Sequence, residues 1–272
     1  MELKLKYLKL EGVQLAYEEY GQGETILFLH GFGASSYSWR AVAKLLSESA
    51  SKRTICLNLM GFGHSDKPKN MDYTINNQAN LVIQFIERLG LDSVTLAGHS
   101  YGGGVCLVIL YQLSQKKSKP KIKNLILASS PCYPMEMPQF LKLLSIPILP
   151  HLILRLIPSK RIIYKMIQFD LPDLDLNSAT IQEYAHCLDS PGCHQAMVKM
   201  ARGIIPDELE SMAKWYPSLD IPSLFIWGEF DGLIPVDQAQ RLHKAIPGSK
   251  LAILKNCGHI PQEQFPIQVH EH

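Results

Sequence analysis

Apolar and polar positions first alternate with a period of two. Residues 3–9 and 13–20 do so on either side of Glu11-Gly12, which predicts an antiparallel hairpin. The pattern then changes to short apolar runs at 25–30 (TILFLH), 54–59, 93–97, 124–129 (NLILAS), 223–227 (SLFIW) and 251–254 (LAIL). Runs of this length without a polar face read as strands buried on both sides. Helical spacing fills the gaps: Trp39, Val42, Leu45 and Leu46 within 36–49; apolar residues at 75, 79, 82, 83, 86 and 89, closed by Gly90; then 101–113 and 237–246. Strands alternating with helices predict an α/β fold. Its sheet is mostly parallel and eight-stranded, with helices on both faces and the hairpin as an antiparallel edge.

Between Pro131 and Pro217 this rhythm stops. Prolines 131, 134, 138, 147, 150, 158, 172 and 191 break the segment, while 140–168 stays rich in leucine and isoleucine. Short amphipathic helices over the carboxyl edge of the sheet fit such a segment. The expected organisation is a core of 1–130 and 218–272 with a helical cap, or lid, inserted at 131–217. A membrane-surface role for the apolar and basic 140–164 is the less favoured alternative.

Composition narrows the class. Apolar residues at 46%, charged residues at 19% and a net charge of +2 suit a globular protein and argue against a nucleic-acid binder. Lysines 116, 117, 119, 121 and 123 cluster around Pro120, where a solvated loop accounts for them. Cysteines 56, 106, 132, 187, 193 and 257 form no C-x-x-C pair. Reduced thiols in a cytoplasmic protein are the default, and a Cys187–Cys193 pair is not required. The N-terminus does not read as a signal peptide, and no apolar window is long enough to span a membrane. No repeat or low-complexity tract occurs.

The chemistry gathers at Gly98-His99-Ser100-Tyr101-Gly102, where a buried strand runs directly into a helix. A serine on so sharp a turn is pushed out of the fold. Side chains at Gly98 or Gly102 would collide with the neighbouring strand or helix. With His30-Gly31-Phe32-Gly33, Gly61-Phe62-Gly63-His64-Ser65-Asp66, Gly228-Glu229-Phe230-Asp231 and Gly258-His259, each following a strand, the chain resembles the α/β-hydrolase fold family over essentially its whole length.

The resemblance implies a serine hydrolase without metal or organic cofactor. Ser100 would be the nucleophile, Asp231 the orienting acid and His259 the general base, in the family order of serine, acid and histidine. Backbone amides of Phe32 and Tyr101 would form the oxyanion hole, with His30, Gly31 and Gly33 supporting the first loop. His186, His194, His243, His270 and His272 are the rival histidines; Glu229 and Asp237 are the rival acids. Ser65 lacks the following glycine and helix and reads as a brace. Haloalkane dehalogenases and epoxide hydrolases of this fold carry aspartate at the position of Ser100, so serine points to acyl transfer on a small to medium ester with an apolar group. A carbon–carbon hydrolase of dienone-type ring-fission products, a perhydrolase and a non-turnover ligand receptor are the alternatives. Two departures stand out. Asn58 replaces the usual aspartate, which is expected to loosen the loop near His64. Only 13 residues follow His259, where relatives usually add a longer final helix, so either the sequence stops short or the last element is abbreviated.

Overall fold

The computed structural model describes residues 5–116, 120–146, 156–168, 170, 171, 175 and 178–272. Strands β1 (Lys6–Leu10) and β2 (Val13–Tyr20) form the expected antiparallel hairpin. The strands β3 (Thr25–Leu29), β4 (Arg53–Leu57), β5 (Ser93–His99), β6 (Lys121–Ala128), β7 (Ser223–Gly228) and β8 (Lys250–Leu254) run parallel to one another. Their order is β1-β2-β4-β3-β5-β6-β7-β8. The chain leaves β3 on one side to make β4, then returns past β3 to make β5. Such a reversal opens a crevice beyond the carboxyl ends of the strands, the usual ligand position in sheets of this kind.

Each central strand supplies both faces of the sheet. In β3, Leu27 and Leu29 join the larger core cluster, while Ile26 and Phe28 join the opposite one with Trp39 and Val42. In β7, Phe225 and Trp227 face one side and Ile226 the other. That is why these strands read as unbroken apolar runs. Helices α2 (Ile75–Arg88) and α3 (Tyr101–Lys116) contribute to the larger cluster. On the other face lies α1 (Arg40–Ser49), entered through a 3-10 turn at Ser36–Trp39 where a single helix over 36–49 was expected.

Two boundaries move for physical reasons. Strand β4 ends at Leu57 because Asn58 turns inward to bond neighbouring loops. Strand β6 begins at Lys121, so Lys121 and Lys123 belong to a strand and not to the expected loop. Their side chains point outward, and Lys123 pairs with Glu24.

The helical cap is inserted after β6. Among the described residues its helices are α4 (Gln139–Ser145), α5 (Ser159–Ile167), α6 (Ala179–Asp189), α7 (Cys193–Arg202) and α8 (Leu209–Trp215). Pro138 and Pro158 immediately precede α4 and α5, where a missing N–H costs the helix nothing. Part of the 140–164 segment lies outside the described residues. Among the described residues no helix is long and apolar enough to cross a membrane. The Tyr216 hydroxyl donates to the Cys132 carbonyl at 2.7 Å, joining the two ends of the insertion. After β7 come α9 (Val236–Ala245), α10 (Pro261–Gln264) and the short α11 (Pro266–Glu271), whose Val269 packs in the cluster with Trp39. All six cysteines are free and buried, so Cys187 and Cys193 do not pair.

Candidate active site

Ser100 sits between β5 and α3 with φ +51°, in the left-handed region that a non-glycine residue adopts only when its surroundings impose it. They do so here by close approach. A Cβ on Gly98 would press on the backbone of Gly102, and one on Gly102 would press on the carbonyls of Leu29 and His30. The Ser100 amide is anchored to the Ala128 carbonyl on β6 at 2.9 Å.

The imidazole of His259 lies next to this hydroxyl, with Nε2 3.0 Å from Ser100 Oγ. Its Nδ1 is 3.0 Å from both carboxylate oxygens of Asp231. Asp231 is held in turn by the amides of Leu233 and Ile234, which donate to Oδ1 at 3.0 and 2.9 Å. Burial acts to raise the Asp231 pKa. The His259 hydrogen bond and charge, with the two amides, overcome it and hold the carboxyl below its ordinary range. Asp231 therefore remains an anion aimed at His259. Among the described residues, the amides of Phe32 and Tyr101 have no acceptor, so both are free to donate.

His30 is fully buried and bridges two loops. Its Nδ1 donates to the Gly31 carbonyl at 2.8 Å, and its Nε2 accepts the Leu59 amide at 3.1 Å. This tautomer is neutral, and burial depresses the His30 pKa to about 4. Gly33 has φ +74°, which turns the chain sharply after Phe32. The Phe32 ring meets Phe62 and Tyr101 edge to face.

The rivals lie elsewhere. His243 bonds Ser249 and His270 reaches Ser49. Glu229 accepts the Asn256 amide, and Asp237 opens α9. Ser65 is a buried brace: its hydroxyl accepts the Ala16 amide at 2.9 Å and donates to the Asn58 carbonyl at 2.6 Å. Asn58 corrects the expectation of a loosened loop. It is fully buried, accepts the Ser36 amide at 3.0 Å and donates to Ser36 Oγ at 3.2 Å.

Three groups escaped the sequence reading. His99 donates from Nε2 to the His259 carbonyl at 2.8 Å, and burial followed by the neighbouring His259 drives its pKa down to about 3. Asp170, from the cap, accepts the His259 amide hydrogen. Glu263 is buried against Tyr184 and Arg40, one turn beyond His259. No local motif marks the last two, because each partner comes from a distant element. Above Ser100 lies a cavity of about 320 Å³. The sheet side presents Phe32, Leu107 and Ile260, and the cap presents Phe140, Ile163 and Met212. It can hold an apolar group beside a hydroxyl, a base and two free amides.

Known proteins fit this architecture. The uncharacterised hydrolase YugF of Bacillus subtilis is 31% identical over 277 residues, 98% of this chain and 96% of that one. The meta-cleavage product hydrolase of Pseudomonas fluorescens superimposes with a TM-score of 0.82 at 21% identity, covering 99% of this chain and 96% of that one. A thermophilic esterase of Thermogutta terrifontis gives 0.76 at 23% identity, covering 98% and 96%. The model of the alpha/beta hydrolase fold family matches residues 24–150 and 201–266, leaving out much of the cap, and the chain belongs to that family of hydrolases.

Proposed function

We propose that this hydrolase cleaves a small to medium carboxylic ester through an acyl-enzyme formed on Ser100. The observation that carries the reading is the unbroken hydrogen-bonded chain from Ser100 Oγ through His259 to Asp231 at the floor of an apolar cavity.

His259 Nε2 takes the Ser100 proton as Oγ bonds to the ester carbonyl carbon. The carbonyl electron pair moves to its oxygen, which the Phe32 and Tyr101 amides receive. The Tyr101 amide also opens α3, where the helix dipole favours negative charge. As the tetrahedral intermediate collapses, the imidazolium returns its proton to the leaving alcohol. Water, deprotonated by His259, then attacks the acyl carbon. As this second intermediate collapses, the imidazolium returns its proton to Ser100 Oγ and the acid leaves. Asp231 stabilises the imidazolium in both halves without itself taking the proton. Six free thiols suit a reducing, cytoplasmic compartment.

The likeness to a meta-cleavage product hydrolase supports carbon–carbon cleavage as a second reading. Intact mass after treatment with a fluorophosphonate tests the nucleophile: one adduct is expected on the wild type and none on Ser100→Ala. Asp231→Asn should lower acylation by about 10³- to 10⁴-fold. Steady turnover of p-nitrophenyl esters of graded acyl length, with no cleavage of a dienone ring-fission substrate, supports the ester reading. The reverse selectivity supports the second. A single turnover with retained product supports a receptor instead.

A further inference from the structure

Asp170 stands where local rules disfavour a carboxylate. Its amide donates to the Ile167 carbonyl at 3.0 Å, on the turn that closes α5. Partial negative charge collects at a helix C-terminus, where lysine or arginine is the stabilising choice. The side chain is half-buried and lines the cavity. Burial pushes its carboxyl above the ordinary range, and Asp231 adds to this, against the opposing pull of the His259 amide and imidazole.

The compensating contacts come from the loop that carries His259. Asp170 Oδ1 accepts the His259 amide hydrogen, and the Asp170 carbonyl accepts from Gln264 Nε2. Gln264 Oε1 accepts the Gly258 amide at 2.8 Å, which closes the link. Gly258 makes the approach possible, because a Cβ there would overlap Asp170 Oδ1.

Around the imidazole, Asp231 faces Nδ1, and His99 lies 4.9 Å away ring to ring, kept neutral by burial. Glu263 lies farther along α10, with its carboxylate bonded to Tyr184 and Arg40. Asp170 is the cap's contribution to this set. Among the described residues, the contacts that compensate this broken local rule come from the segment that carries His259 and Gln264, which is the expected mark of a functional constraint.

We propose that Asp170 is a positioning residue through which the cap holds the base: it fixes the His259 main chain against Ser100 and sets a second carboxylate charge near the imidazole. The inference rests on the reading of Ser100, His259 and Asp231 as a triad. Two separable effects follow. The hydrogen bond to the amide fixes geometry, and the charge favours the imidazolium formed during acylation.

The test is the rate of fluorophosphonate labelling from pH 5 to 9 on wild type, Asp170→Asn and Asp170→Ala, with thermal unfolding measured alongside. Asparagine keeps an acceptor for the His259 amide but removes the charge. Its plateau should stay within about threefold of wild type while the acid limb moves to lower pH by roughly half a unit to one unit. Alanine removes both contributions, and its plateau should fall about tenfold or more. If the alanine variant fails to fold, the asparagine profile carries the test alone. A wild type labelled at Ser100, with an Asp170→Asn profile superimposable on its own, overturns the positioning role and leaves the triad standing. A wild type that takes no adduct overturns the triad reading and this inference with it.

Discussion

His99 Nε2 donates to the backbone carbonyl of His259 over 2.8 Å, so the residue before Ser100 holds the main chain of His259. The two residues lie 160 positions apart in the chain and meet through one hydrogen bond inside the core. With its pKa near 3, from burial first and the His259 charge second, His99 stays neutral and keeps this tautomer at every working pH.

Replacing His99 by leucine preserves volume and removes the donor. The buried His259 carbonyl then loses its partner, which costs about 1–3 kcal/mol. Calorimetry should record that loss, and labelling of Ser100 should slow by about tenfold as the base shifts. Unchanged labelling in a folded variant would show that the contact does not position the base.

Stability should fall between pH 6.5 and 4, as protons are offered to two histidines that the fold keeps neutral. His30 and His99 drop from the ordinary 6.5 to about 4 and about 3 because burial penalises their charged forms. Through this window the unfolded chain binds protons that the folded chain refuses. Their contribution is therefore complete above pH 6.5 and drains as pH falls toward the folded values, on the order of 3 kcal/mol for His30 alone. Asp231 works in the opposite sense of charge. Its stabilisation is present above the ordinary 3.8 and is lost below it. Urea midpoints at pH 7.5 and 5.0 should differ for the wild type and differ by less in His30→Gln, where His99 still resists protonation. Equal midpoints for the wild type would refute the account.

What was legible in the sequence was whatever local pattern controls. Buried strands such as β3 announce themselves as apolar runs because both faces are covered, and the elbow announces itself because Gly98 and Gly102 are forced by backbone contact. Ser100, Asp231 and His259 each follow a strand, so the family order could be carried onto them residue by residue. Asp170 was not legible. Its partner is 89 positions away, and nothing about an aspartate among cap prolines signals an acceptor for the His259 amide. Asn58 misled for a related reason: its hydrogen bonds to Ser36 and Ala16 exist only after β2, β4 and the 3-10 turn meet.

Tyr184 and Glu263 join the cap to α10 by a hydrogen bond of 2.5 Å. Burial raises the Glu263 pKa against the pull of Tyr184 and Arg40, so the carboxylate depends on both partners. In Tyr184→Phe the remaining partner, Arg40, is 3.4 Å away. The variant should lose about 1–3 kcal/mol near neutral pH. The deficit should shrink as the pH is lowered from 7 to 5, because a raised pKa eases protonation of Glu263, which relieves the buried charge. Denaturation at the two pH values measures this, and a deficit that grows on acidification would contradict it.

Introducing at position 58 the aspartate that the family resemblance leads one to expect should destabilise this chain. Asn58 uses both ends of its amide: Oδ1 accepts the Ser36 amide, while Nδ2 donates to Ser36 Oγ at 3.2 Å and to the Ala16 carbonyl at 3.4 Å. The Ser36 hydroxyl proton is already committed to Glu18, 2.7 Å away. A carboxylate in Asn58→Asp would face the Ala16 carbonyl without a proton between them and would compete with Glu18 for the same hydroxyl. The position is completely buried, so water cannot repair the mismatch. The expected loss at pH 7 is about 2–3 kcal/mol. Combining the change with Glu18→Gln should recover part of it, because glutamine removes one competing charge. Lowering the pH toward 5 should act similarly by protonating the buried acid. If Asn58→Asp instead raises the urea midpoint at pH 7, the asparagine network does not brace the loop and the family preference governs this position.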